Sequence, residues 1–218
     1  MIRDVFEIYN RNLILILFLC IFMVIPISMF MYFLDILMQQ SNIIELKNVF
    51  SVFLITLNFA ILFPAFFYVT KNDLLDNPVK IRHSFLFFAE RFGVIFLMTA
   101  VIYFLSVFSF FLLFIPTIIG MAMIILIPLF SEKERVSDIL KGVWGVILKE
   151  NVFILIDLLL IFSINAVVWV LITSIVTGLE TNTMVYVFLR AFVNSIVYPF
   201  IFIYLTLKYR QKDIHIQA

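Results

Sequence analysis

Apolar and polar positions along this chain fall into a pattern that occurs three times: an amphipathic stretch with helical spacing, a charged tip, then a long apolar run. The first stretch, residues 2–12, sets Ile2, Val5, Phe6 and Tyr9 on one face and passes through Asn10 and Arg11 into apolar sequence from Leu13. The second, residues 79–91, aligns Ile81, Phe85, Phe88 and then Phe92, with Glu90 and Arg91 at its tip. The third, residues 136–149, aligns Val136, Ile139, Leu140, Val143, Trp144 and Ile147, and ends in Lys149 and Glu150. This spacing predicts three amphipathic helices, each continuing into an apolar hairpin that returns the chain to the side it left.

Five apolar blocks are visible, at residues 13–34, 49–70, 92–130, 152–176 and 184–207. Four match the roughly 20 residues that cross a hydrocarbon core. The third, as one straight helix, would reach about 58 Å, roughly twice that core, so it has to turn. Pro116 is the predicted hinge, because proline suits the first turn of a helix and disturbs an interior. The expectation is one all-α transmembrane domain over residues 1–218 with six spans, at 13–34, 49–70, 92–113, 116–130, 152–176 and 184–207. With the three amphipathic helices lying in the interface, these form three helix-hairpin repeats.

Composition supports a bilayer as the solvent. With 65% hydrophobic residues, 13% charged ones and a mean hydropathy of +1.18, a chain of 218 residues carries more apolar surface than one fold can hide from water. A net charge of +1 gives nucleic acid no foothold, and the single cysteine, Cys20, excludes an intramolecular disulfide. The run from Leu13 is too long for a signal-peptide core and lacks a small-residue cleavage pattern, so it reads as a retained anchor.

The distribution of basic residues sets the expected direction of the spans. Six spans with the N-terminus inside place Arg3, Arg11, Lys71, Lys80, Arg82, Arg91, Lys133, Arg135, Lys141, Lys149, Lys208, Arg210 and Lys212 on the cytoplasmic side, and Lys47 alone outside. A third block that crossed once would erase this bias. A multi-pass protein of the cell membrane, with both termini cytoplasmic, is therefore predicted.

Pro64, Pro128 and Pro199 each fall on a returning span; with Pro116 they are read as helix kinks, or as parts of a moving gate. Pro64 is followed by Tyr68, Thr70 and Lys71, and Pro199 by Tyr204, Thr206 and Lys208. Asn77 before Pro78 has the form of an N-cap for the second amphipathic helix, and Ser131 with Glu134 that of a cap near the third.

Within the spans, Asp157 lies about 8 Å from the cytoplasmic boundary and Arg190 a similar distance from the outer one, from which it can snorkel outward. Asn58, Asn165 and Asn194 fall near mid-span. Two readings stand: asparagines that cross-link neighbouring helices, with Asp157 bonded to a hydroxyl or a basic loop, or a polar cavity lined by Asn58, Asp157, Asn165 and Asn194 that takes a small polar ligand.

No catalysis, cofactor or metal is expected. His83 and His215 have no metal-ligand neighbour at useful spacing, the five glycines form no phosphate loop, and Ser84 diverges from His83 on a helix. The expected partners are membrane lipids and another membrane or cytoplasmic protein. Arg11, Lys80, Arg82, Arg91, Lys141 and Lys149 are the predicted headgroup or partner contacts. A scaffold or accessory component fits this pattern first; a transporter or permease-like subunit for a small or amphipathic substrate is the alternative.

Pro116, Pro128, the Ser131-Glu132-Lys133-Glu134 loop, and the helix from Asp138 through Trp144 to Lys149, Glu150 and Asn151 follow one another in order. This succession resembles the bacterial six-span membrane superfamily that includes the glycerophosphodiester phosphodiesterase membrane domain and related inner-membrane proteins. The resemblance implies six spans across the whole chain. No catalytic domain accompanies them here, so it implies no phosphodiesterase chemistry and no functional residues.

Overall fold

The computed structural model describes residues 1–40, 47–110, 114–150 and 182–217, together with residues 154, 156–157, 163–164, 167–168, 170–171 and 174. The regular elements among them are helical: α1 (Ile2–Arg11), α2 (Leu13–Gln40), α3 (Lys47–Leu74), α4 (Ile81–Phe110), α5 (Phe114–Leu126) with a 3-10 turn at Ile127–Phe130, α6 (Val136–Glu150) and α7 (Thr183–Gln217). Four of these, α2, α3, α4 and the part of α7 from Thr183 to Arg210, are long and apolar enough to cross a membrane. Large apolar side chains also cover the outside; on α4, Leu97, Leu105 and Phe108 are all at least 60% exposed. Helices apolar on both faces belong to a multi-pass membrane protein.

The central helix is α3, which packs against α2, α4, α5 and α7. Its Phe59, Phe63 and Phe66 surround Phe202 of α7, with the Phe63 and Phe202 rings stacked at 4.5 Å and Tyr198 closing the cluster. Pro64 and Pro199 lie inside α3 and α7.

Several boundaries differ from those the pattern predicts. The second amphipathic stretch is not a separate helix: residues from Ile81 run unbroken into the span as α4. Helical spacing continues through Glu90, Arg91 and Phe92, and one Gly93 costs a helix only about 1 kcal/mol. At about 45 Å, α4 is longer than a ~30 Å core needs. Asn77 caps nothing there, because residues 77–80 are non-helical. Instead its amide bonds the Asn72 carbonyl at 2.9 Å across Asp76, whose φ of 52° closes the end of α3. Ser131 does not cap α6 either; the Arg135 carbonyl accepts from the Asp138 and Ile139 amides at its start. In α1 the buried residues are Val5 and Ile8, with Ile2 and Phe6 exposed; Phe6 and Tyr9 both meet Phe200 of α7, the Tyr9 ring stacked on it at 4.3 Å.

The third apolar block does turn near Pro116, which lies in the first turn of α5. α5 folds back along α4, with the Thr117 hydroxyl donating to the Ser106 carbonyl at 3.0 Å. Gly120 faces Ser106 so closely that a Cβ would overlap its side chain. Gly120→Leu is expected to cost about 2 kcal/mol by overpacking, read as a lower thermal midpoint in nanodiscs; an unchanged midpoint would refute the close approach. Pro128 sits in the 3-10 turn that follows α5.

In α2 a π-turn spans Cys20–Val24, with the Ile25 amide donating to the Cys20 carbonyl. Pro26 follows directly, and the wider turn relieves the crowding of its ring against the preceding turn. The proline pattern of the predicted returning spans does not point to this π-turn. Cys20 also answers a second proline. Pro199 has no amide for the carbonyl of Ser195 four residues before it, and the Cys20 thiol donates to that carbonyl at 3.1 Å. Cys20→Ala is expected to lose about 1 kcal/mol and Cys20→Ser to lose less; the order of their unfolding midpoints checks this.

Candidate functional site

Polar side chains gather in two places. The first lies among α2, α3 and α7. Ser28 and Tyr32 are four residues apart on α2; Arg190, Asn194 and Tyr198 are spaced likewise on α7, so each set forms one stripe. Asn58 of α3 donates to the Ser28 hydroxyl at 2.9 Å, and Asn194 donates to the Tyr32 hydroxyl at 2.6 Å. Tyr198 is buried beside them and interacts with both Asn58 and Tyr32, which links the two contacts. The Arg190 guanidinium lies over the Tyr32 ring at 4.4 Å. Stacking on an aromatic face gives the cation a partner within its own bundle.

The second place is one end of the bundle, where ion pairs among the described residues gather. Asp73, at the end of α3, accepts from Arg11 and, at 2.8 Å, from Asn12, tying the corner between α1 and α2 to α3. The hydrogen bond to Asp73 holds the Arg11 guanidinium above its ordinary pKa. Glu132, in the loop before α6, meets both Lys71 of α3 and Arg210 of α7. Arg91 of α4 donates to the carbonyls of Lys133 and Glu132 at 3.3 and 3.5 Å. Asp157, 4% exposed, accepts from Tyr204 at 3.1 Å, from Lys208 at 2.7 Å and from Tyr209. At the opposite end Asp35 accepts from Ser51, and Lys47 donates to the Gln39 carbonyl at 2.6 Å.

Two concavities open near Asp157. An apolar groove of about 490 Å³ runs between α1 and α7, edged by Ile2, Phe6, Ile196 and Phe200, with Asp157 and Tyr204 among its walls. A cationic cavity of about 370 Å³ lies between α6 and the end of α7.

The predicted polar set is therefore not gathered around one space. Asn58 and Asn194 belong to the inner network, Asp157 to the charged end, and Asn165 lies outside the described residues. Among the predicted headgroup contacts, Lys80 and Arg82 are exposed, Arg11 and Arg91 bind the chain itself, and Lys141 and Lys149 line the cationic cavity. Sequence reasoning passed over Tyr32 and Tyr198, although the stripes Ser28-Tyr32 and Arg190-Asn194-Tyr198 are legible at helical spacing. It also passed over Asp73 and Glu132, whose partners are about 60 residues or more away, which no local spacing reveals. No family model, curated protein or solved structure matches the chain.

Proposed function

We propose that this chain is a non-catalytic integral membrane protein of the cell membrane, a scaffold or accessory component that engages anionic headgroups or a partner protein on the cytoplasmic side. The observation that carries this reading is the fate of the intramembrane polar groups. Asn58 and Asn194 are used in direct contacts between helices, and Asp157 in contacts with α7, rather than facing a common cavity. Six spans with both termini cytoplasmic remain part of the proposal, supported by the ion pairs that gather at one end of the bundle.

A three-hairpin organisation is supported by the way hairpins close. Arg11, before the first hairpin, binds Asp73 at its end; Arg91 binds the carbonyls just after the return of the second; Asp157 binds Lys208 near the end of the third. The stretches after Pro64 and Pro199 also match: Thr70 and Thr206 each donate to the carbonyl four residues back, and Lys71 and Lys208 each meet a carboxylate. This organisation keeps the six-span superfamily as an architectural proposal.

The runner-up is a transporter or permease-like subunit for an amphipathic substrate. The apolar groove with Asp157 in its wall favours it. Purification from native membranes separates the two. A stoichiometric protein companion, or retained anionic lipid, is the result expected of a scaffold. Recovery of the chain with neither overturns that reading, and solute uptake by vesicles holding the chain alone establishes the runner-up.

A further inference from the structure

We propose that the cationic cavity between α6 and the end of α7 is a binding site for a phosphate group, carried either by an anionic lipid headgroup or by a small soluble phosphate ester. The cavity, about 370 Å³, is at the small end of the range for ligand sites and holds a phosphate with a short polar substituent. Lys133, Lys141, Lys149, Lys208 and Arg210 line it, against one lining carboxylate, Glu150. Lys208 and Arg210 are held from behind by Asp157 and Glu132. Lys133 reaches the Asp138 carbonyl at 3.3 Å and lies over the Phe130 ring. Lys141 and Lys149 make no ion pair among the described residues, so positive charge is left in excess at the mouth.

The wall is built for access. Lys141, Gly145 and Lys149 follow at four-residue spacing along α6, which puts two lysines on either side of a residue without a side chain. A Cβ at Gly145 would meet nothing within 4 Å, so the space above it is open. Gly142, one turn away, lets α6 approach Phe130 more closely than any side chain would allow, which brings the lysines over the cavity floor. Several ammonium groups around one opening suit a multiply charged phosphate better than a single carboxylate.

This inference rests on the headgroup reading above and is tested separately from it. The purified protein in zwitterionic phosphatidylcholine nanodiscs is titrated with glycerol 3-phosphate in one arm and with dioctanoyl phosphatidic acid in the other, following the thermal midpoint. A saturable rise with the first identifies a soluble ester, and a rise confined to the second identifies a lipid headgroup. Lys141→Gln with Lys149→Gln is expected to weaken binding at least about tenfold, as is Gly145→Leu, which fills the opening with every charge retained. Lys80→Gln with Arg82→Gln, on the exposed start of α4, is expected to change it less than about twofold.

Absence of a saturable response to both probes overturns the site. Equal losses in the α4 and α6 double variants overturn it as well, while leaving diffuse headgroup attraction in place. If phosphatidic acid also leaves the stability of every variant unchanged, the headgroup reading falls with it. Full binding by the Gly145→Leu protein shows that the ligand does not enter the cavity.

Discussion

Glu132→Ala is expected to lower stability by about 3 kcal/mol, because it removes the carboxylate that both Lys71 and Arg210 meet. Arg210 is 2% exposed, so its charge depends on that partner far more than a surface arginine would. For a chain of this size the thermal midpoint in nanodiscs falls by roughly 10 °C. Glu134→Ala, two residues on at an exposed position, is expected to shift it by less than about 0.5 kcal/mol. The paired variant Glu132→Leu with Arg210→Met removes the charge from both sides and recovers most of the loss, since a buried ion pair exchanged for apolar groups is often neutral. Equal midpoints for wild type and Glu132→Ala would mean that the loop before α6 does not hold α3 and α7 together.

Asp157→Ala should have an effect of the same order, about 3 kcal/mol. Its carboxylate accepts from two tyrosines and pairs with Lys208 at 2.6 Å, all while 4% exposed. Asp157→Asn keeps one acceptor oxygen and gives up the charge and the second acceptor, so about half of the loss is expected. This pair of variants also bears on function. If Asp157→Asn folds normally yet removes the pH dependence of a measured solute flux, the runner-up transporter reading gains. A stable, fully functional alanine variant would show that the cluster is dispensable.

Much of the architecture is legible in the sequence. Lengths of apolar runs depend on local composition and on the thickness of the solvent they cross, so α2, α3 and α7 begin close to where the pattern placed them. The turn at Pro116 followed from the same arithmetic, since no helix of the third block's full length fits a bilayer. The amphipathic helix ending at Glu150 was equally clear. Where the reading slipped, a local signal had two outcomes. The charged tip at Glu90 and Arg91 resembles a helix end, yet nothing there breaks a helix, and α4 simply continues.

The candidate site was legible only in part, for a different reason. Hydropathy and spacing establish which groups are too polar to face lipid, and so identified Asn58, Asp157 and Asn194. They do not say which helices become neighbours. Glu132 meets residues 61 and 78 positions away, and Cys20 supplies a donor to a carbonyl that Pro199 leaves without one, 175 positions along the chain. Solvent preference is a property each segment carries alone, so it is written along the chain and fixed the helices. Partner choice is a property of packing, in which distant segments meet, and it emerged only once α3 and α7 lay against each other and against the loop before α6.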